Sequence, residues 1–128
     1  MNLLLDTHVA IWALMDLPRL SRLAREILSD PENTIFISSV SVCEVAIKHS
    51  KHPLHMPLSG DEMTQMVEQA SMEFLDFTAA HAVKLGSLPL HHGDPFDRML
   101  IAQAMVEPLR FLTHDAALTQ YSDLVIWV

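Results

Sequence analysis

The sequence contains one cysteine and no long apolar run, and both absences limit what the protein can be. Because Cys43 has no partner, an internal disulfide is excluded, as is typical of the reducing cytoplasm. We expect Cys43 to pack in the core as a small apolar residue. No apolar run approaches the roughly 18 residues of a membrane-spanning helix. The first residues have no Lys or Arg and no cleavage site, so we predict no signal peptide, no membrane contact and a cytoplasmic protein.

Basic residues are also scarce. Eight Lys and Arg residues stand against sixteen Asp and Glu residues, which gives a formal net charge of −8. This balance argues against generic, charge-driven binding of nucleic acid. It does not exclude an enzyme that acts on nucleic acid, because bound cations would reverse the local sign of the charge. The same charge would attract a basic partner protein.

The chain is long enough, and apolar enough, for one folded domain over residues 1–128, since half of its residues are hydrophobic. Short apolar or β-branched runs predict strands at 2–5, 34–38, 72–77, 110–113 and 124–128. Helical spacing predicts helices at about 8–15, 20–30, 40–48, 60–71, 79–85 and 95–107, with a helical turn near 115–120.

Strands alternate with helices along the whole chain. This alternation predicts an α/β fold: a three-layer α/β/α sandwich with a mainly parallel sheet of about five strands. In such sheets, ligands bind beyond the carboxyl ends of the strands, at the point where the strand order reverses.

Four acidic residues lie next to apolar segments, whereas most of the others have polar neighbours. Asp6 ends the most apolar predicted strand, and Asp115 follows the strand at 110–113 by two residues. Glu44 and Asp97 lie on apolar faces of predicted helices. A lone carboxylate in such a place carries a desolvation penalty. Because the predicted fold brings all four to one edge of the sheet, we expect them to form one site.

Simpler roles remain open for single members of this set. Asp6 and Asp94 could cap helices. Glu44 could pair with Lys48 four residues later on the same helix face.

Several carboxylates in one pocket repel one another, and some take up protons unless a cation neutralises them. Oxygen ligands without a nearby cysteine suit Mg²⁺ or Mn²⁺. Such a site could hold one or two ions, activate water and stabilise the charge that develops in phosphodiester displacement.

Four segments resemble the motifs of the PIN-domain ribonucleases, especially the VapC-like toxins of type II toxin–antitoxin pairs. In the family's order they are "LLLDTHVAIWAL", "ISSVSVCEVAIK", "HHGDPFDRMLIAQA" and "FLTHDAALTQY". The resemblance covers the chain end to end. It implies an Mg²⁺-dependent endoribonuclease, in which Mn²⁺ substitutes, and RNA products with 5′-phosphate and 3′-hydroxyl ends.

The resemblance also assigns the site residues. It implies Asp6, Glu44 and Asp97 as the acidic, metal-binding core and Asp115 as a fourth acid that often acts through water. Asp94 belongs to the "DPFD" form of the motif and either touches metal or caps the helix. Thr7 and Thr113 either orient ligands or serve as a cap and a strand end.

The residues that would hold RNA are harder to identify. The basic candidates are Lys48, Lys51 and Arg98, and the pair His91 and His92 precedes the acidic helix. His49, His52 and His55 are predicted to lie in a solvated loop, because Pro53 breaks the helical spacing that would align them as metal ligands. Trp12 is expected in the core and Trp127 in the last strand, and neither lies in an aromatic–basic pattern typical of base stacking.

The resemblance implies a homodimer and a small antitoxin partner. Met63, Met66, Val67 and Ala70 form a stripe at helical spacing. This stripe either packs on the sheet or forms a methionine-rich groove for an antitoxin segment. A non-catalytic Mg²⁺-binding module, either like a phosphorylated receiver or a degenerate PIN fold, is the alternative function.

Overall fold

The computed structural model describes all of residues 1–128. Its elements are β1 (Asn2–Leu5), α1 (Thr7–Leu14), α2 (Arg22–Ser29), β2 (Thr34–Ser38), α3 (Ser39–Lys51), α4 (Gly60–Gln69), β3 (Glu73–Leu75), α5 (Ala79–Ser87), α6 (Pro95–Val106), β4 (Arg110–Thr113), a 3₁₀ turn (Ala116–Gln120) and β5 (Val125–Trp127). Every predicted strand and helix is present, with small differences at the ends. None of the helices has the length and apolar character needed to cross a bilayer.

The five strands form one sheet, and every pairing in it is parallel. The strand order is β3-β2-β1-β4-β5, which confirms the predicted sheet. The chain winds outward from β1 in both directions, so the order reverses between β1 and β4. The receiver-like alternative is wrong, because receivers have the strand order 2-1-3-4-5.

The central strand β1 has side chains in both cores of the molecule. Leu3 and Leu5 lie in the core formed with α1, α2 and α4, and Leu4 lies in the core formed with α6. Successive side chains of a strand point to opposite faces, so an uninterrupted leucine run suits a strand covered on both sides. The result is the predicted three-layer sandwich.

Two buried polar contacts fix the helices that start at the carboxyl edge of the sheet. The hydroxyl groups of Thr7 in α1 and Ser41 in α3 are 2.9 Å apart. Ser38, at the end of β2, donates a hydrogen bond to the side chain of Gln103 in α6. Buried polar groups are costly unless they are paired, so these contacts hold the helix ends in one arrangement.

The methionine stripe of α4 belongs to the core. Met63 and Val67 are fully buried, and Met66 packs partly buried against the same core. Of the two alternatives for this stripe, packing on the sheet is right and the antitoxin groove is wrong.

The expectation for Cys43 is also wrong, because its side chain is exposed. Helix α3 buries the face that carries Val40, Ser41, Glu44 and Val45, and Cys43 lies away from it.

We predict that Met63→Asp lowers the free energy of unfolding by more than about 3 kcal/mol, because it places a carboxylate in an apolar core. The exposed substitution Gln65→Asp on the same helix should change it by less than about 1 kcal/mol. Urea denaturation followed by circular dichroism measures both. If the two variants were equally stable, the stripe would not be part of the core.

Candidate active site

The first acid of the site lies at the carboxyl end of the central strand. Asp6 is buried and caps α1, and its Oδ1 accepts a hydrogen bond from the Val9 backbone N–H at 2.9 Å. Its Oδ2 accepts a hydrogen bond from the hydroxyl of Thr113, at the end of β4. Asp6 is therefore both a cap and a fixed carboxylate at the point where the strand order reverses.

Glu44 reaches the same edge from α3 and is only 2% exposed. Its Oε2 accepts a hydrogen bond from Nζ of Lys48, so the predicted pair forms. Its Oε1 is buried and has no hydrogen-bond partner. A buried carboxylate oxygen without a partner is costly, and a cation is a partner that would remove the cost.

Two acids lie at the start of helix α6, Asp94 as its N-cap and Asp97 in its first turn. Asp94 caps the helix, and its Oδ1 accepts hydrogen bonds from the backbone N–H groups of Phe96 and Asp97. The capping role considered for Asp94 is therefore present. Asp97 lies one turn before the buried residues Leu100 and Ile101, and its side chain is only 18% exposed.

The fourth acid is held by a histidine. Nε2 of His92 lies 2.7 Å from Oδ2 of Asp115 and 3.7 Å from Oδ2 of Asp97. Nδ1 of His92 accepts the backbone N–H of Asp94 at 3.0 Å. The ring proton therefore lies on Nε2, which donates to Asp115. These three side chains lie close enough together to surround a metal ion, although Nε2 is committed as a donor.

Four of the acids, Asp6, Asp94, Asp97 and Asp115, line a cavity of about 510 Å³, whereas the buried Glu44 is not part of its lining. Its lining residues are acids and planar side chains, with one alanine: Asp6, His8, Trp12, Arg19, His92, Asp94, Asp97, His114, Asp115 and Ala116.

The burial and crowding of the acids raise the pKa values of two of them. Burial raises the pKa of Asp97 to about 7, with further contributions from the charges of Asp94, Asp6 and Glu44, while His92 acts in the opposite direction. Burial also raises the pKa of Asp6, although the hydrogen bonds from Thr113 and Val9 oppose the change. A bound cation would favour the ionised forms of these acids.

The donor set fits Mg²⁺ or Mn²⁺. It consists of carboxylate oxygens without sulfur, and it includes the unpartnered oxygen of Glu44. The four acids expected from the sequence come from the ends of β1 and β4 and from two helices, and the fold brings them to one edge.

The predicted substrate-binding residues fall into two groups. Burial lowers the pKa of Lys48, but its hydrogen bond with Glu44 and the charges of Glu44, Asp94 and Asp97 raise it by more. Lys48 is thus the counter-ion of the acids, and His92 lies among them. In contrast, Arg98 donates to the carbonyls of the preceding loop, and the ring of His91 packs edge-on against Tyr121, outside the cavity lining.

Three polar residues of the cavity lining, His8, Arg19 and His114, were not predicted from the sequence. His8 and His114 are two and one residues away from acids, so their spacing offered a signal. Arg19 lies between α1 and α2 and offered none.

The protein is thus an α/β domain with an acidic centre. Its carboxylates cluster where the strand order of the parallel sheet reverses. The PIN domain family model matches residues 3–124, and the chain belongs to the PIN domain family. Members of this family are generally nucleases, and they generally use divalent metals.

Solved structures share the fold. VapBC2 from Rickettsia felis, bound to a DNA fragment from its promoter, has a TM-score of 0.69 at 18% identity, covering 100% of this chain and 98% of that one. A toxin–antitoxin complex from Klebsiella pneumoniae has a TM-score of 0.64 at 19% identity, covering 96% and 94%. FitAcB from Neisseria gonorrhoeae has a TM-score of 0.61 at 18% identity, covering 98% and 96%. No curated protein matches the sequence.

The pKa of Asp97 predicts a pH-dependent stability. Between 3.8 and about 7 the folded, metal-free protein holds a proton on Asp97 that the unfolded chain has lost. Its free energy of unfolding therefore falls as the pH rises through this window. We expect Asp97→Asn to be more stable than the parent protein at pH 8 by roughly 2 kcal/mol, with the difference vanishing near pH 4.

Urea denaturation in EDTA at both pH values measures this difference. Asp123→Asn, which changes an exposed acid, is the control and should alter stability equally little at both. A difference for Asp97→Asn that does not grow with pH would contradict the prediction.

Proposed function

We propose that this chain is a metal-dependent endoribonuclease that cleaves RNA phosphodiester bonds as the toxin of a toxin–antitoxin pair, with Mg²⁺ as its ion and Mn²⁺ as a substitute. One observation carries the proposal: the buried, unpartnered oxygen of Glu44 lies in an acidic cluster whose Asp97 has a pKa of about 7. Membership of a family of nucleases supports it. A degenerate, purely binding PIN fold is not favoured, because the acid set is complete.

In this proposal Asp6, Glu44 and Asp97 are the direct metal ligands. Asp115, already bound by His92, acts through a water molecule, and Asp94 serves first as a helix cap. A Mg²⁺ or Mn²⁺ ion held by these acids would supply a water of lowered pKa and positive charge for the phosphate.

The chain's own residues hold this arrangement in place. Thr113 and the Val9 N–H orient the two oxygens of Asp6. Lys48 balances the charge of Glu44, and the fixed tautomer of His92 keeps Asp115 turned toward Asp97. Such pre-positioned groups lower the reorganisation that the reaction requires.

We predict that Asp6→Asn, Glu44→Gln and Asp97→Asn each reduce RNA cleavage at least about a hundredfold, because each removes an anionic ligand. Asp115→Asn should reduce it less. Total RNA incubated with Mg²⁺ or Mn²⁺, followed by mapping of cleaved ends, measures this activity, and EDTA should abolish it.

The control variant Asp123→Asn should cleave like the parent protein. Full activity of Asp97→Asn with Mg²⁺ would refute the assigned site. A loss at Asp115→Asn as large as that at Asp97→Asn would indicate direct coordination by Asp115.

We propose a homodimer and a small antitoxin as protein partners. One similar structure is a toxin–antitoxin complex. A second cavity, of about 410 Å³, adjoins the acidic one and shares His8, Trp12 and Arg19 with it, while much of its remaining lining is apolar. It replaces the methionine stripe as the groove for an antitoxin segment.

Charge favours a basic segment in this groove. The net charge of −8 attracts such a segment at long range. An arginine on it could pair with the carboxylates that otherwise bind metal, which would inhibit the enzyme.

We predict that Met15→Asp, at the exposed rim of this second cavity, weakens inhibition by a co-expressed antitoxin at least about tenfold while RNA cleavage persists, because it places a charge in an apolar contact. The titration of RNA cleavage with purified antitoxin measures the effect. Val83→Asp, an exposed apolar position on α5, is the control. Unchanged inhibition of Met15→Asp would place the groove elsewhere.

A further inference from the structure

Four planar side chains meet at one lip of the acidic cavity. Trp12 is at their centre, and His8, Arg19 and His114 surround it. All four also line the cavity that the acids share. They come from α1, from the segment between α1 and α2, and from the end of β4, so only the folded chain brings them together.

The guanidinium of Arg19 lies over the Trp12 ring, and the two imidazole rings are inclined to that ring. The guanidinium carbon of Arg19 lies 5.4 Å from the centre of the Trp12 ring. The His8 ring lies 6.1 Å from that centre and is tilted by 41°, and the His114 ring lies 5.3 Å from it, edge-on at 74°. Trp12 itself is only 9% exposed, whereas the other three are exposed. Trp12 therefore supports the exposed guanidinium of Arg19, and the two exposed imidazoles lie around the same ring at an angle to it.

This lip is held by contacts that do not involve the acids. Nδ1 of His114 lies 2.6 Å from the carbonyl of Val128, and the indole N–H of Trp127 donates to the carbonyl of His114. Arg19 forms no ion pair, although it lines a cavity with four acids. A guanidinium kept on an aromatic face is available for stacking as well as for charge.

We propose that Arg19, His8 and His114, supported by Trp12, form a stacking site for one unpaired nucleobase of the RNA substrate, next to the phosphate at the acids. The inference rests on the proposed ribonuclease function and extends it to the kind of RNA that is cut. Unpaired bases stack on arginine planes and on histidine and other aromatic rings, whereas a base in a duplex is already stacked on its neighbours.

The composition of the cavity favours this form of recognition. Arg19 is the only Lys or Arg residue in its lining, against four acids. A surface so poor in fixed positive charge obtains little affinity from phosphate contacts. Stacking supplies affinity without added charge, and it places the base beside the acidic cluster.

A scan with abasic RNA tests the proposal. The probe is an unstructured nine-nucleotide RNA with a 5′ fluorophore, together with nine versions that each lack one base. Binding is measured by fluorescence anisotropy with Mn²⁺ and the Asp97→Asn protein. We expect one position, next to the cleavage site mapped with the parent enzyme, at which base removal weakens binding about five- to a hundredfold.

Arg19→Lys in the Asp97→Asn background is the decisive variant, because it keeps the charge and removes the plane. For this variant, removal of the base at that position should change the binding affinity by less than about twofold. Arg22→Lys, an exposed arginine of α2 outside the cavity, is the matched control and should leave the scan unchanged. Because Arg19 is exposed, its substitution should not unfold the protein, and circular dichroism checks this.

The outcomes separate this proposal from the one on which it rests. The stacking site alone is overturned if the parent enzyme cleaves RNA but no single base removal weakens binding. It is also overturned if Arg19→Lys leaves the effect of each base removal on the affinity unchanged. Absence of both cleavage and binding overturns the ribonuclease function and the stacking site together. Equal affinity for the same sequence in a duplex also overturns the stacking site. Loss of antitoxin inhibition in the Arg19→Lys variant, with an unchanged scan, would assign the lip to the partner protein instead.

Discussion

The fold removes several carboxylates from water and places them close together. Their mutual repulsion is the constraint on which this structure depends. Asp6, Asp94 and Asp115 each also cap a helical segment, so backbone N–H groups hold part of the negative charge that the site concentrates. The positive ends of these segments point at the same edge of the sheet, which offsets some of the repulsion. The offset is incomplete, because burial and neighbouring charges still raise the pKa of Asp97 to about 7. Local helix capping and the acidic centre are therefore one arrangement.

The sequence predicts the fold well, because the fold depends on local patterns, and local patterns also single out the four acids that remain the proposed site. The leucines of β1 and the "DPFD" start of α6 carry their structural meaning within a few residues. What it does not predict depends on distant contacts. The hydrogen bond from His92 to Asp115 joins residues 23 positions apart. Arg19 reaches the cavity only through its position over Trp12. The face of α3 that is exposed is also set by distant contacts, as the exposed Cys43 shows.

Around this cavity, histidine residues are more numerous than lysine and arginine residues. His8, His92 and His114 line it, together with one arginine. Each imidazole is positioned by a different kind of contact: a tryptophan ring, a backbone N–H and the carbonyl of Val128. A cavity built in this way distinguishes ligands by shape and hydrogen bonding more than by net charge.

The position of β1 has a consequence for the folding of the protein during its synthesis on the ribosome. This strand is made well before β4, yet the two strands pair, and Leu5 lies opposite Leu112. The hydroxyl that orients Asp6 belongs to Thr113, and Asp115 follows it. A nascent chain therefore lacks part of its acidic centre until the segment that carries Thr113 and Asp115 has left the exit tunnel. Translation itself delays the assembly of this centre until more than a hundred residues after Asp6 have been added.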